Sequence, residues 1–136
     1  MLENIFKTIT AIFGASVTYL FGEWSILLQM LLTLVLVDYS TGLLASGYEG
    51  KLSSKVGFKG ILKKVMIFAM VAVAHAIDSV LGENHFFRDA TIFFYLANEV
   101  LSIIENTGRI GIPIPSVLSK AVDVLKDKSN EKGESK

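Results

Sequence analysis

The chain has 136 residues, of which 51% are hydrophobic and only 19% are charged. A soluble globular domain carries about 25% charged residues, so this sequence is short of charge. Its 13 basic residues balance 13 acidic residues, which argues against a nucleic-acid-binding protein. The absence of cysteine excludes disulfide scaffolds, thiolate metal sites and cysteine nucleophiles. The two histidines stand in no catalytic or metal-binding motif, so we expect neither an enzyme nor a cofactor.

Four apolar segments with the length of a membrane span dominate the sequence. They cover residues 5–21, 24–45, 61–81 and 86–104. A helix needs about 20 residues to cross the bilayer core, and the segments have no internal proline, which favours helix for each of them. The sequence therefore predicts an all-α integral membrane protein with three to four transmembrane helices. The first segment either spans the membrane or lies at its surface.

The C-terminal region differs from the apolar segments. Pro113 and Pro115 follow the fourth segment and favour an extended link. Residues 116–125 then place apolar side chains on one side of a short amphipathic helix. Residues 126–136 alternate acidic and basic side chains, and we expect a disordered cytoplasmic tail there. The predicted organisation is one membrane domain, residues 1–125, followed by this tail.

Lysines are concentrated on one side of the predicted membrane domain. The stretch 49–64 holds five lysines and one acidic residue, whereas the opposite loop, 82–89, holds one arginine and two acidic residues. Short basic loops remain in the cytoplasm, so we expect 49–64 and the C-terminus to be cytoplasmic in a multi-pass protein. The five lysines are Lys51, Lys55, Lys59, Lys63 and Lys64.

The fourth segment carries a polar face along about one third of its circumference, at 100° per residue. A face of this kind must meet protein or water rather than lipid. It therefore either lines a pore or an oligomer interface, or it holds helices together within one chain. Its members are Arg88, Thr91, Tyr95, Asn98, Glu99, Ser102, Glu105 and Asn106.

The third segment combines small residues with two ionisable ones. One narrow stripe holds Ala69, Ala72, Ala76 and Ser79, at a spacing that lets helices approach closely. His75 and Asp78 are one turn apart beside that stripe. Their spacing favours a hydrogen-bonded structural pair over a proton relay.

Two carboxylates inside the apolar segments need partners. Asp38, near the end of the second segment, is expected to pair with a lysine from 55–64. Where its surroundings are dry, Glu99 is expected to be protonated or to pair with a residue such as His75 or Arg109, because an unpaired charge at this depth is costly.

Several short motifs occur together in this chain. They are Asp38-Tyr39-Ser40-Thr41-Gly42, the glycine- and lysine-rich stretch 49–64, Ala74-His75-Ala76-Ile77-Asp78, and the polar and glycine–proline series 98–115. In this combination, residues 34–125 resemble the phage-lysis and toxin-secretion holin family, which includes clostridial toxin-release holins.

The resemblance implies a function and a set of partners. Such holins accumulate as homo-oligomers in the bacterial cytoplasmic membrane and open lesions, through which an endolysin or a large toxin crosses. The family has no catalytic residues, and no nucleic-acid partner is implied. By the same resemblance, Gly57 and Gly60 allow turns in a cytoplasmic loop, and Lys63 and Lys64 anchor the third helix at the lipid headgroups.

Two other functions are compatible with the residues. A small proton- or ion-translocating membrane protein would use His75, Asp78 and Glu99 as its relay. A membrane scaffold would have no conductance. Expression in bacteria separates the three, because a holin becomes lethal together with a cell-wall-degrading enzyme and the other two release no protein.

Overall fold

A computed structural model describes residues 1–134, and all regular elements in this range are α-helices. The prediction of an all-α fold is therefore confirmed for the described residues. The helices are α1 (Leu2–Phe21), α2 (Ile26–Tyr48), α3 (Ser54–Leu81), α4 (Phe86–Ile110) and α5 (Ser116–Glu134).

Serine caps decide where helices α2 and α3 begin. The Ser25 hydroxyl accepts a hydrogen bond from the Leu28 N–H at 3.3 Å, and the Ser53 hydroxyl accepts one from the Val56 N–H at 3.2 Å. Each bond satisfies a backbone donor that the first turn leaves unpaired. Helix α3 therefore starts at Ser54 rather than at residue 61, and most of the predicted loop 49–64 is helical.

The two glycines assigned to turns in that loop lie inside α3, so their assignment was wrong. They provide close approach to α2 instead. The Tyr39 hydroxyl donates to the Gly57 carbonyl at 3.2 Å. A Cβ atom on Gly60 would stand 3.0 Å from Cε2 of the Tyr39 ring. The absence of a side chain at this position therefore lets the tyrosine ring approach α3 closely.

The apolar core lies between α2, α3 and α4. Its buried side chains are Leu28, Leu31, Val35, Val71, Ile92 and Leu96. Contacts at both ends of the bundle show that α4 runs beside α2 over its full length: Arg88 bonds to the Glu23 carbonyl before α2, and Arg109 bonds to the Glu49 carboxylate after it. Helix α4 is thus parallel to α2 and antiparallel to α3.

Two helices, α2 and α3, are long and apolar enough to cross a membrane by length and composition. Within residues 1–134 these are the candidate spans, so the predicted count of three to four is not confirmed. Helix α4 has the length but carries the polar face identified from the sequence. Helix α1 begins with Glu3 and Lys7 and buries none of its residues.

Helix α5 is longer than the sequence predicted. It continues past residue 125 to Glu134, so the expectation of a disordered tail is wrong for 126–134; residues 135–136 lie outside the described range. Val122 is buried, Leu125 packs against the core, and the Ser129 hydroxyl donates to the Ala90 carbonyl at 3.0 Å. These contacts hold α5 against α4.

We predict that Gly60→Leu destabilises the bundle, by about 1–3 kcal/mol, because the new side chain must displace the Tyr39 ring. Gly14→Leu is the matched control, since a Cβ at Gly14 meets nothing within 4 Å. Thermal unfolding of both variants in detergent micelles measures the difference. Equal midpoints would contradict the close packing of α3 on Tyr39.

Candidate functional site

A cluster of buried ionic and polar side chains joins α2, α3 and α4. The Lys64 ammonium donates to the Asp38 carboxylate and to both carboxylate oxygens of Glu99, at 3.0 and 2.9 Å. Asp38 is 6% exposed and Glu99 is 2% exposed. One lysine on α3 therefore bonds to a carboxylate on each of the other two helices.

Asn106 completes the cluster from the last turns of α4. Its amide nitrogen donates to the Asp38 carboxylate at 2.9 Å, to the Asp38 carbonyl at 3.2 Å and to the Thr41 hydroxyl at 3.0 Å. The Thr41 hydroxyl itself bonds to the Asp38 carbonyl at 3.1 Å. Asp38 is thus held by both a cation and an amide, which compensates for the loss of water around a buried carboxylate.

The cluster holds two carboxylates and one ammonium group. Removing one partner of a buried ion pair leaves an uncompensated charge and costs about 3–5 kcal/mol. The two kinds of partner are not equivalent here. Loss of the lysine leaves two carboxylates without a cation, whereas loss of one carboxylate leaves the lysine paired with the other.

The cluster bears on the two interpretations of the polar face of α4. Glu99 and Asn106 are buried and bonded within the chain, as expected for residues that hold helices together. Tyr95, Asn98 and Ser102 are half-buried, and Glu105 is exposed. The structure therefore divides the face into an internal part and an accessible part.

The pairing expected from the sequence is confirmed for Asp38, whereas Glu99 has a partner other than the two residues named as examples for it. Asp38 pairs with a lysine of 55–64, as predicted, and that lysine is Lys64. Glu99 bonds to the same Lys64 rather than to His75 or Arg109. A single lysine lies between the two carboxylates and bonds to both. From the sequence, a separate partner was expected for each carboxylate.

Arg109 instead pairs with Glu49, at 2.6 Å, at the end of the bundle where α2 stops. It also donates to the Ser46 hydroxyl at 3.4 Å. The hydrogen bond from Arg109 lowers the pKa of the Glu49 carboxyl below its ordinary value. This pair therefore fixes the C-terminal ends of α2 and α4 side by side.

The predicted hydrogen bond between His75 and Asp78 is not formed. The Asp78 carboxylate accepts hydrogen bonds from the backbone N–H groups of Phe87 and Arg88, at 2.8 and 2.9 Å. It thus satisfies donors that the first turn of α4 leaves unpaired. The His75 ring stacks on the His85 ring with centroids 5.9 Å apart. Asp78, His75 and Glu99 therefore belong to separate contacts rather than to one relay.

Arg88 has a larger structural role than its position on the polar face indicated. Its guanidinium group is buried and donates to the carbonyls of Phe21 and Glu23, at 2.9 and 3.0 Å. It also bonds to the adjacent Asp89 at 3.2 Å. These bonds tie the end of α1 to the start of α4, and no short sequence pattern identifies backbone carbonyls as the acceptors.

The remaining predicted residues lie on the surface of the bundle. Ala69 and Ala76 of the small-residue stripe are exposed, and Ala72 is half-buried. The stripe is thus left open by the fold of one chain, and its use between chains stays a prediction. Lys51, Lys55, Lys59 and Lys63 are exposed near the start of α3.

We predict that Lys64→Met destabilises the bundle by about 3–5 kcal/mol, because it leaves two buried carboxylates without a cation. Glu99→Gln should cost less, since Lys64 keeps Asp38. Lys63→Met removes a neighbouring exposed lysine and is expected to be near neutral. Thermal unfolding in a neutral detergent ranks the three variants. A smaller loss for Lys64→Met than for Glu99→Gln would contradict the shared-lysine arrangement.

Known proteins similar to this chain include both bacterial and phage proteins. An uncharacterised protein of Listeria monocytogenes is 51% identical over 130 residues, covering 96% of this chain and 93% of its own length. One of Halalkalibacterium halodurans is 49% identical over 130 residues, covering 92% and 96%. A probable holin of Bacillus phage phi105 is 37% identical over 116 residues, covering 85% of each chain.

Comparison with solved structures gives no match. Comparison with protein families does: the bacteriophage holin family matches residues 15–127, which include the buried cluster, the basic start of α3 and most of α5. This confirms the resemblance found from the motifs of residues 34–125 and extends it in both directions. The chain belongs to the bacteriophage holin family.

Proposed function

We propose that the protein is a holin that assembles with copies of itself in the bacterial cytoplasmic membrane and opens lesions for an endolysin or a large toxin. The observation that carries this proposal is the distribution of charge in the bundle. Ionic groups between α2, α3 and α4 are bonded to one another, while the outer surfaces of α2 and α3 are apolar. Exposed side chains on those surfaces include Leu36, Val37, Val65, Met66, Val73 and Val80.

The position of α4 beside α2 and α3 supports the proposal that it also crosses the membrane. It extends along the whole of α2, from the contact of Arg88 at one end to that of Arg109 at the other. Its buried charged and amide groups face Asp38 and Lys64. A helix with polar groups can cross a bilayer when those groups meet protein. In our proposal α4 therefore crosses together with the two apolar helices.

Orientation in this proposal rests on the lysines at one end of the bundle. The turn between α2 and α3, the start of α3 and the end of α4 lie at the same end, as the Glu49–Arg109 ion pair requires. Basic flanks favour the cytoplasmic side. The turn at 49–53 and the start of α5 are then cytoplasmic, and residues 82–85 face outward. The expected cytoplasmic position of the C-terminus does not fit this arrangement, because α5 returns along α4 and the Ser129 hydroxyl donates to the Ala90 carbonyl near the outward end.

Association between copies would use helix surfaces that one chain leaves open. Ala69 and Ala76 are exposed on α3, and α1 buries no residue. The hydroxyls of Ser16 and Thr18 bond to carbonyls of their own helix, at 2.8 and 3.0 Å, which makes the α1 surface less polar. Small residues and shielded hydroxyls are common where helices associate in membranes. The proposed activity needs no catalytic residue and no cofactor.

We predict that a cysteine at Ser54 is protected from a membrane-impermeant thiol reagent in intact cells, whereas one at Asn84 is labelled. Both residues are exposed, and the chain has no other cysteine. Permeabilised cells provide the control, in which both positions should react. Labelling of position 54 but not of position 84 in intact cells would contradict the proposed orientation.

We predict that controlled expression in a bacterium arrests growth abruptly and that co-expression of a cytoplasmic endolysin then causes lysis. A lesion large enough for the enzyme brings it to the cell wall, whereas an ion translocator or a scaffold does not. An endolysin variant without activity is the matched control, and it should leave cells arrested but intact. Turbidity and release of a cytoplasmic enzyme measure the outcome. Survival with the active endolysin, at normal levels of membrane-inserted protein, would contradict a holin function.

A further inference from the structure

A cavity of about 400 Å³ opens between α2, α3 and α4 on the basic side of the bundle. It adjoins the buried cluster, because Asp38 and Lys64 form part of its wall. Its charged lining consists of Lys59, Lys63, Lys64, Arg109, Asp38 and Glu105. Basic pockets between transmembrane helices on the cytoplasmic side are suited to anionic headgroups.

The pairing of these groups shows which charges remain for a ligand. Lys64 is engaged by the two buried carboxylates, and Arg109 is engaged by Glu49. Within residues 1–134, Lys59 and Lys63 have no ion-pair partner. Besides Asp38, which Lys64 holds, the lining contains one carboxylate, that of Glu105, which is exposed. The cavity therefore presents two ammonium groups that are available to a ligand, beside one exposed carboxylate.

The position of the cavity along α3 corresponds to the edge of the hydrocarbon core. Residues 65–77, directly after Lys64, carry no charge and extend for about 20 Å as a helix. Lysine side chains at such an edge keep their ammonium groups at headgroup level and their aliphatic stems in the apolar region. The two available ammonium groups of the cavity are thus at the depth of lipid phosphates.

Apolar side chains beside the cavity indicate an amphiphile rather than a free anion. Leu43 and Val56 form part of the lining, and Leu62 is exposed on α3 next to Lys63. A phosphate held by the lysines would have its acyl chains beside this apolar surface. An inorganic phosphate would leave the same surface without a partner.

We propose that this cavity binds the phosphate of an anionic glycerophospholipid, with Lys59 and Lys63 as its cationic ligands. The site goes beyond lesion formation and requires only that the bundle lies in a membrane. Failure of the lysis experiment therefore leaves the lipid experiment interpretable, and the reverse also holds.

The test uses the full chain reconstituted in nanodiscs made from equal amounts of phosphatidylcholine and phosphatidylglycerol. The lipids that remain bound after exchange into a neutral detergent are quantified by mass spectrometry. The unmodified protein should retain phosphatidylglycerol preferentially. Lys59→Gln with Lys63→Gln should lower that preference by roughly tenfold, because each lysine near a membrane surface contributes substantially to anionic lipid attraction.

Lys51→Gln with Lys55→Gln is the matched control. It removes the same charge from the same end of the bundle, outside the cavity lining, and should keep the preference of the unmodified protein. An equal loss in both double variants would mean general surface attraction and would overturn the site. So would an unchanged preference in the Lys59 and Lys63 variant.

Two further measurements distinguish lipid binding from the effect of a misfolded variant and from the binding of free phosphate. Glu105→Gln removes the opposing carboxylate of the cavity and should increase retention of phosphatidylglycerol; an unchanged or lower retention would overturn the assignment. Inorganic phosphate added in excess should not displace the lipid. Complete displacement would identify the cavity as a free-phosphate site instead.

Discussion

Lys64 is the residue on which the arrangement of the bundle depends. Its ammonium group lies between a carboxylate of α2 and a carboxylate of α4, and both carboxylates are buried. A carboxylate in the hydrocarbon core is costly unless another group in the protein compensates for its charge. The polar side of α4 is therefore turned inward by the same lysine that joins α3 to α2. The apolar sides of α2 and α3 are left on the outside, as a membrane bundle requires.

A second set of polar contacts fixes the opposite end. Asp78 binds the first backbone N–H groups of α4, and Arg88 holds the carbonyls at the end of α1. Two positions separated by the length of the bundle are thus tied by charged groups, with the apolar core between them. In our proposal, a chain closed in this way can accumulate in the membrane before lesions open. Copies would then meet through the small-residue stripe and α1, which one chain leaves open.

Much of the fold was predictable because hydrophobicity and glycine-containing breaks divide the chain into helices. The errors lie where hydrophobicity is not the deciding factor. Helix α3 begins at the cap residue Ser53, well outside its apolar part. Helix α5 continues into a charged sequence because Val122 and Leu125 dock it against the rest of the bundle. A cap or a docking contact extends a helix without changing the apolar pattern, so the pattern alone underestimates its length.

The sequence predicted which residues belong to the candidate site better than it predicted which of them bond to each other. Asp38, Glu99 and Asn106 were identified because polar groups in apolar segments must have partners, and a lysine partner for Asp38 was expected. Lys64 also bonds to Glu99 because of the register of three helices. That Asp78 binds backbone N–H groups rather than His75 depends on the start of α4. Tyr39 and the two glycines of α3 form a contact that becomes evident only when α2 and α3 are packed together.

The most direct test of this account compares Lys64→Met alone with Lys64→Met combined with Asp38→Asn and Glu99→Gln. If the lysine acts by stabilising the negative charge of two buried carboxylates, removing their charges should restore most of the stability that the single substitution loses, because neutral replacement of a buried ionic group is often tolerated. Thermal unfolding in a neutral detergent gives the comparison. A midpoint for the triple variant near that of the unmodified protein is the predicted result. A triple variant as unstable as Lys64→Met, or less stable, would contradict the central role of this charge cluster.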